Sequence, residues 1–135
     1  MTTSDAETLH ISIRIDRPAG QVYAYASEPS HLPEWAAGLG ASIEETDGQW
    51  IADSPMGRVV VDFAPRNDLG VLDHHVTLPS GETVYNPVRV IADGSACEVV
   101  FTLRRRPGVS AEEFRRDETA VSADLATLKR IVEQA

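Results

Sequence analysis

Apolar and polar residues alternate strictly in the first patterned segment of the chain, "LHISIRID", residues 9–16. Four apolar side chains share one side of this segment: Leu9, Ile11, Ile13 and Ile15. Successive side chains of a β-strand point to opposite faces, so a period of two predicts a half-buried strand.

Two short helices are predicted after this strand. Pro18 stands where a first helical turn tolerates proline, and Val22 and Tyr23 lie on one helical face. Pro29 ends this helix, and a second short helix carries Trp35.

Six further short strands are predicted between residues 41 and 106. Their apolar segments are separated by turn-forming residues: Asp47-Gly48, Pro55-Met56-Gly57, Asn67-Asp68-Leu69-Gly70, Ser80-Gly81 and Asp93-Gly94. Turn signals at such regular spacing are typical of an antiparallel meander.

The last patterned segment predicts one long helix from Ser110 to Val132. Ser110 and Glu113 form an S-x-x-E capping box at its start. One apolar stripe runs along it at helical spacing: Phe114, Val121, Leu125, Leu128 and Val132. A curved antiparallel sheet must fold around such a helix, which leaves a hollow between the two.

Composition restricts the setting. A chain of 135 residues that is 42% hydrophobic and 24% charged suits one soluble domain, residues 1–135. The net charge of −9 argues against a nucleic-acid partner, which needs a basic face.

No apolar run approaches the roughly 20 residues that span a bilayer, so no membrane insertion is expected. The N-terminal "MTTSDAETLH" does not have the pattern of a signal peptide, which predicts a cytoplasmic protein.

The sequence gives no sign of a metal site or a cofactor site. Cys97 is the single cysteine, so neither an internal disulfide nor a zinc-ribbon site is expected. The chain contains no nucleophile elbow, zinc-protease motif, Walker loop or dinucleotide fingerprint.

Two long segments resemble the SRPBCC superfamily, also called START-like or helix-grip, which includes birch-pollen-allergen-type proteins and polyketide cyclases. They are "ISIRIDRPAGQVYAYASEPSHLPEWAAGL" near the start and "VVFTLRRRPGVSAEEFRRDETAVSADLATLKRIV" at the end. The resemblance implies an α+β helix-grip fold. In that fold a curved seven-stranded antiparallel sheet wraps around a long C-terminal helix, and two short helices follow the first strand. It also implies a hollow that takes small molecules, and it does not specify the chemistry.

The segment "GVLDHHVTL" places three ionisable residues inside a predicted strand. A two-residue turn at Ser80-Gly81 would pair Asn86 with His75. Asp73, His75 and Asn86 would then face the hollow, and His74 would face solvent.

A single bulge would reverse this assignment. His74 and Arg89 would then face inward, and the ligand would more readily be an anion. In the first register Arg89 instead forms an exposed cross-strand ion pair with Glu98.

Four other residues are candidates for the wall of the hollow. Trp35, Phe101 and Tyr23 would supply aromatic surface, and Asp117 lies beside the apolar stripe of the long helix. Asp124, seven residues further on, is interpreted as a solvated residue at the edge of the stripe.

Three functions fit these patterns. The first is binding of a small apolar or amphipathic molecule, with Asp73, His75 and Asn86 orienting it. The second, implied by the resemblance, is a polyketide cyclase- or dehydrase-like lyase with His75 as general acid or base and Asp73 fixing its charge. The third is a protein-interaction module of the chaperone-ATPase-activator type. The sequence leaves open whether the protein is a monomer or a homodimer.

Overall fold

The computed structural model describes residues 7–39 and 42–135. The polar residues 1–6 and the predicted start of the second strand at Ala41 lie outside this part. The described elements, in chain order, are β1 (Thr8–Ile15), α1 (Ala19–Ala26), α2 (Leu32–Trp35), β2 (Ser42–Thr46), β3 (Gln49–Ser54), β4 (Gly57–Phe63), β5 (His74–Thr77), β6 (Thr83–Asn86), β7 (Val88–Asp93), β8 (Ala96–Arg104) and α3 (Ala111–Gln134). Short 3₁₀ turns flank α2 at Pro29–His31 and Ala37–Leu39.

The strands form two antiparallel sheets. One has the order β1-β8-β7 and the other the order β2-β3-β4-β5-β6. The α+β helix-grip architecture is thus confirmed, but the prediction of a single seven-stranded sheet is wrong. Within the described residues there are eight strands, because the predicted strand "ETVYNPVRVIA" is divided into β6 and β7.

Pro87 is the point at which the chain passes from one sheet to the other. Proline has no backbone N–H, so it cannot donate to a strand ladder. The chain pairs with β5 before Pro87. After Pro87 it pairs with β8 on one side, and on the other side Arg89 forms an antiparallel bridge with Val71, just before β5. The Pro87 carbonyl accepts a hydrogen bond from the Thr102 amide at 2.9 Å, which ties the break to β8. Pro87 therefore interrupts the ladder, which resumes where the Leu72 amide donates to the Val88 carbonyl and the Val90 amide donates to the Gly70 carbonyl, both at 2.8 Å.

The predicted long helix and its capping box are confirmed. The Ser110 hydroxyl accepts from the Glu113 amide at 3.1 Å, and the Glu113 carboxylate accepts from the Ser110 amide at 3.0 Å. The helix packs against β1, β8 and α2. Four residues of its apolar stripe are buried: Phe114, Leu125, Leu128 and Val132. The fifth, Val121, is partly buried.

Candidate functional site

A hollow of about 520 Å³ lies between the two sheets and the N-terminal half of α3. Its sides are α2, β5, β6 and the end of β8 together with α3. Most of the wall is apolar, from Leu32, Trp35, Val76, Val84, Phe101, Leu103, Val121 and Leu125. Met56 and Tyr85 also line it and are 55% and 40% exposed, so the hollow opens to solvent on that side.

An ion pair joins two of the chain segments that line the hollow. Residues 82–86 line one side of the hollow, and residues 103, 104, 106 and 107 line another. Arg106 Nη1 donates to Glu82 Oε2 at 2.8 Å and connects the two sides.

His74 is the buried histidine of the hollow. Its side chain is only 7% exposed, and its ring lies 5.1 Å from the Phe63 ring and 6.3 Å from the Phe101 ring, between ring centroids. Nδ1 is 3.2 Å from the Leu72 carbonyl, which can only accept, so Nδ1 carries the proton. Nε2 is therefore an acceptor and lies 3.4 Å from Asn86 Nδ2.

Burial lowers the pKa of His74 below its usual value, because the charged ring would lose its hydration. The neutral form is thus favoured near neutral pH. His74 and Asn86 both line the hollow. Together they present a neutral ring with a basic nitrogen and an amide, which can accept from and donate to a ligand.

His75 lies outside the hollow, and its predicted inward placement is wrong. The pairing is His74 with Asn86 and His75 with Tyr85, one residue away from the predicted register. The His75 side chain is exposed, and its ring stacks on Tyr85 with a centroid distance of 4.7 Å.

The turn between β5 and β6 explains the shifted register. The Leu78 amide donates to the Glu82 carbonyl at 2.8 Å, which leaves three residues in the turn instead of the predicted two. Gly81 in this turn has φ of +91°, as three-residue hairpin turns require of one residue near their end. One additional residue in the turn shifts the pairing by one residue, so the side chains of β5 that face inward are the alternate set.

Asp73 is buried but does not line the hollow. Its Oδ1 accepts from the Val88 amide and from Arg89 Nε, both at 2.9 Å. Its Oδ2 accepts from Arg89 Nη2 and from the Tyr85 hydroxyl, both at 2.7 Å. The Arg89 guanidinium chiefly lowers the pKa of Asp73 to about 2. The carboxylate thus binds the first two residues of β7, directly after Pro87.

Arg89 occupies neither of its two predicted positions. Its side chain is 50% exposed, pairs with Asp73 and does not line the hollow. The predicted cross-strand pairing with Glu98 is wrong as well, since β8 places Val100 opposite Arg89. The shifted register therefore brings His74 inward and leaves Arg89 outside the hollow. An anionic ligand was expected because the Arg89 guanidinium would face inward, so this expectation has no support from the structure.

The aromatic candidates divide into two groups. Trp35 and Phe101 line the hollow, as expected, and their binding of a ligand stays a prediction. The Trp35 Nε1 atom is buried and has no hydrogen-bond partner among the described residues. Tyr23 does not line the hollow, because its hydroxyl accepts from the Asn67 amide at 2.9 Å and fixes the loop between β4 and β5.

Asp117 and Asp124 of α3 both line the hollow, and the sequence ranked them in the wrong order. Asp117 is exposed, whereas Asp124 is partly buried. Asp124 Oδ1 accepts from the Ala37 amide at 3.3 Å, and loss of hydration raises the pKa of Asp124 to about 6. The 3₁₀ turn that follows α2 supplies this contact, and the helical pattern of α3 alone could not reveal it.

No candidate metal site exists in the part of the chain that the structure describes, where no group of three or more His, Cys, Asp or Glu residues could hold an ion. Among those same residues, no helix is long and apolar enough to cross a membrane.

The paired antiparallel sheets, the long C-terminal helix and the hollow between them define a helix-grip fold. No family model matches the sequence, and no curated protein matches it. Solved structures do match its fold. A conserved protein from Geobacillus kaustophilus has a TM-score of 0.74 at 10% identity, over 95% of this chain and 96% of the other.

Two further structures with the same fold carry more specific names. Ara h 8.0201 has a TM-score of 0.73 at 13% identity, over 96% of this chain and 99% of the other. Norcoclaurine synthase from Thalictrum flavum has a TM-score of 0.64 at 13% identity, over 100% of this chain and 94% of the other. At such identities the similarity establishes the fold alone.

Proposed function

We propose that this protein binds a small, moderately apolar molecule in the hollow. The observation that carries the proposal is the hollow itself, since about 520 Å³ lies within the range of roughly 300–1,000 Å³ typical of ligand sites. A mostly apolar wall with a few convergent polar groups is also typical of such sites. Those groups are His74, Asn86 and Asp124.

The polar groups of the wall are not fully satisfied by the protein. The buried Trp35 N–H has no partner within the described residues, and His74 Nε2 has only a long contact of 3.4 Å with Asn86. The Trp35 N–H is closed off from the hollow, whereas His74 Nε2 can accept a hydrogen bond from a ligand donor.

A pair of tryptophan substitutions on α3 tests the proposal. Ala120 is exposed and lines the hollow, so Ala120→Trp should fill part of it without disturbing the core. Ala126→Trp is the matched control, because Ala126 is exposed on the same helix and does not line the hollow. Native mass spectrometry of protein purified from cells, and titration with the uncharged apolar dye N-phenyl-1-naphthylamine, measure occupancy.

We expect wild type and Ala126→Trp to carry a bound molecule or bind one dye per chain, and Ala120→Trp to bind at least about tenfold more weakly. Equal dye binding by all three proteins would place the dye outside the hollow. An empty wild type that also does not bind the dye would contradict the proposal.

A second candidate is a cyclase- or dehydratase-type lyase with His74 as the general base. The neutral ring favours this role, because its unprotonated Nε2 belongs to a residue that lines the hollow. His75, the earlier candidate base, is exposed on the opposite face of β5. Norcoclaurine synthase has the same fold and is an enzyme by name.

Substituting His74→Gln distinguishes binding from turnover. A binding protein should lose affinity for its co-purified molecule and show no conversion of it in either form. An enzyme should convert that molecule in the wild type and lose most of the rate in His74→Gln, with a smaller change in affinity.

A further inference from the structure

Asp124 is a partly buried carboxylate that has no cationic partner among the described residues. Within the described chain its carboxylate accepts one hydrogen bond, from the Ala37 amide at 3.3 Å. The two arginines that line the hollow are engaged elsewhere. Arg106 pairs with Glu82 at 2.8 Å, and the Arg104 guanidinium carbon lies 5.9 Å from the centre of the Tyr85 ring.

A carboxylate withdrawn from water without a counter-charge is destabilised, and a ligand cation can remove that cost. No arginine contributes to the pKa of Asp124, which burial raises to about 6, so the group is mostly ionised at neutral pH. Asp117 lines the hollow from the same helix and adds negative potential at its solvent-exposed side. The net charge of −9 further favours the approach of cations.

We infer that the hollow selects a ligand that carries a protonated amine on an apolar body, with the ammonium group against the Asp124 carboxylate. This inference rests on the proposed function and names its ligand class. The apolar body would lie along Trp35, Phe101 and Val121, which form part of the wall. The hydrogen bond between an ammonium group and the Asp124 carboxylate would be charge-assisted, and such bonds are stronger than those between neutral groups.

Three probes that differ only in their head group test the inference: 4-phenylbutylamine, 4-phenylbutan-1-ol and 5-phenylpentanoate. Their binding is measured by isothermal titration calorimetry at about pH 7.5, where the amine is protonated and the acid is ionised. We expect the amine to bind about tenfold or more tightly than the alcohol, and the acid to bind more weakly than the alcohol.

Two charge-removing substitutions on α3 localise the effect. Asp124→Asn keeps an acceptor for the Ala37 amide and should bring the amine to within about threefold of the alcohol, with the affinity for the alcohol little changed. Asp117→Asn is the control, because it removes the same charge from an exposed position on the same helix. It should reduce the affinity for the amine by less than about threefold.

The outcomes separate the two proposals. Equal binding of amine and alcohol by the wild type overturns the inference and leaves the proposed function standing. An amine preference that survives in Asp124→Asn also overturns the inference. Failure of all three probes to bind the wild type counts against the proposed function, and the inference fails with it. The comparison of probes on the wild type does not depend on the folding of any variant.

Discussion

His74 and His75 show how far two adjacent residues can differ. The first is buried beside two phenylalanines with its pKa lowered, and the second is exposed and stacked on Tyr85. Alternation along β5 produces this difference, because adjacent side chains point to opposite faces. The sequence correctly predicted that only one of the pair faces inward, and it favoured the wrong one.

Alanine substitutions of the two histidines should therefore have unequal effects. His74→Ala leaves a cavity and an unsatisfied Leu72 carbonyl, and should cost about 2–4 kcal/mol of unfolding free energy. His75→Ala removes one exposed ring contact and should cost less than about 0.5 kcal/mol. Urea denaturation of the two variants measures both changes. A silent His74→Ala beside a damaging His75→Ala would contradict the observed register.

Asp124 should make the protein less stable as pH rises. Its pKa of about 6 in the folded state lies above its usual value of 3.8, so the folded protein holds this proton more tightly than the unfolded chain. The favourable contribution is complete below about pH 4 and is lost as pH rises to about 6.

The isosteric substitution Asp124→Asn should remove this dependence. The variant should be more stable than the wild type by of the order of 1–3 kcal/mol at about pH 8, and nearly equal to it at about pH 4. Urea denaturation at the two pH values measures the difference. A variant that is less stable than the wild type at pH 8 would show that the carboxylate has a stabilising partner.

At the scale of elements, sequence patterns correctly predicted the features that depend only on neighbouring residues. The alternation in β1 and the capping box of α3 depend on residues within one segment, and both are found in the structure. The number of residues in the turn between β5 and β6 is set by Leu78 and Glu82 across the hairpin. Ser80-Gly81 indicated that a turn exists, but it could not show whether the turn has two or three residues.

The break between β6 and β7 is held by a polar contact that the sequence did not reveal. Asp73 comes immediately before β5, while Arg89 and the Val88 amide belong to β7. Asp73 supplies an acceptor for an amide beside a residue that cannot continue the ladder. It therefore has a structural role, and the sequence had assigned it to the ligand.

Asp73→Asn should weaken this junction at neutral pH. The folded pKa of about 2 lies below the usual value of 3.8, so the ionised carboxylate stabilises the fold above about pH 4. The shift corresponds to about 2 kcal/mol, which is lost as pH falls from about 4 to about 2.

Denaturation of the wild type and Asp73→Asn at several pH values tests the junction. The two proteins should differ at about pH 7 and converge at about pH 2. The control is Asp93→Asn, which breaks the exposed pair with Arg14 and should change stability little. A constant difference between Asp73→Asn and wild type down to pH 2 would show that charge is not the cause.

At the scale of the whole molecule, the helix-grip fold was predictable and the division into two sheets was not. The order of elements and the stripe of α3 indicate a helix enclosed by antiparallel strands. Pro87 was visible in the sequence, but its effect depends on the partners of the chain on each side, β5 before it and β8 after it. The division into two sheets follows from this long-range choice of partners.

The ion pair between Glu82 and Arg106 has a consequence for the kinetics of the hollow. It joins two of the chain segments that line the hollow, and its side chains are 52% and 36% exposed. An exposed pair of this kind contributes at most about 1 kcal/mol, so thermal motion separates it readily. The pair is too weak to act as a lock. The residence time of a bound molecule is then determined by its contacts with the wall, and ionic strength should have little influence on how long a neutral ligand stays.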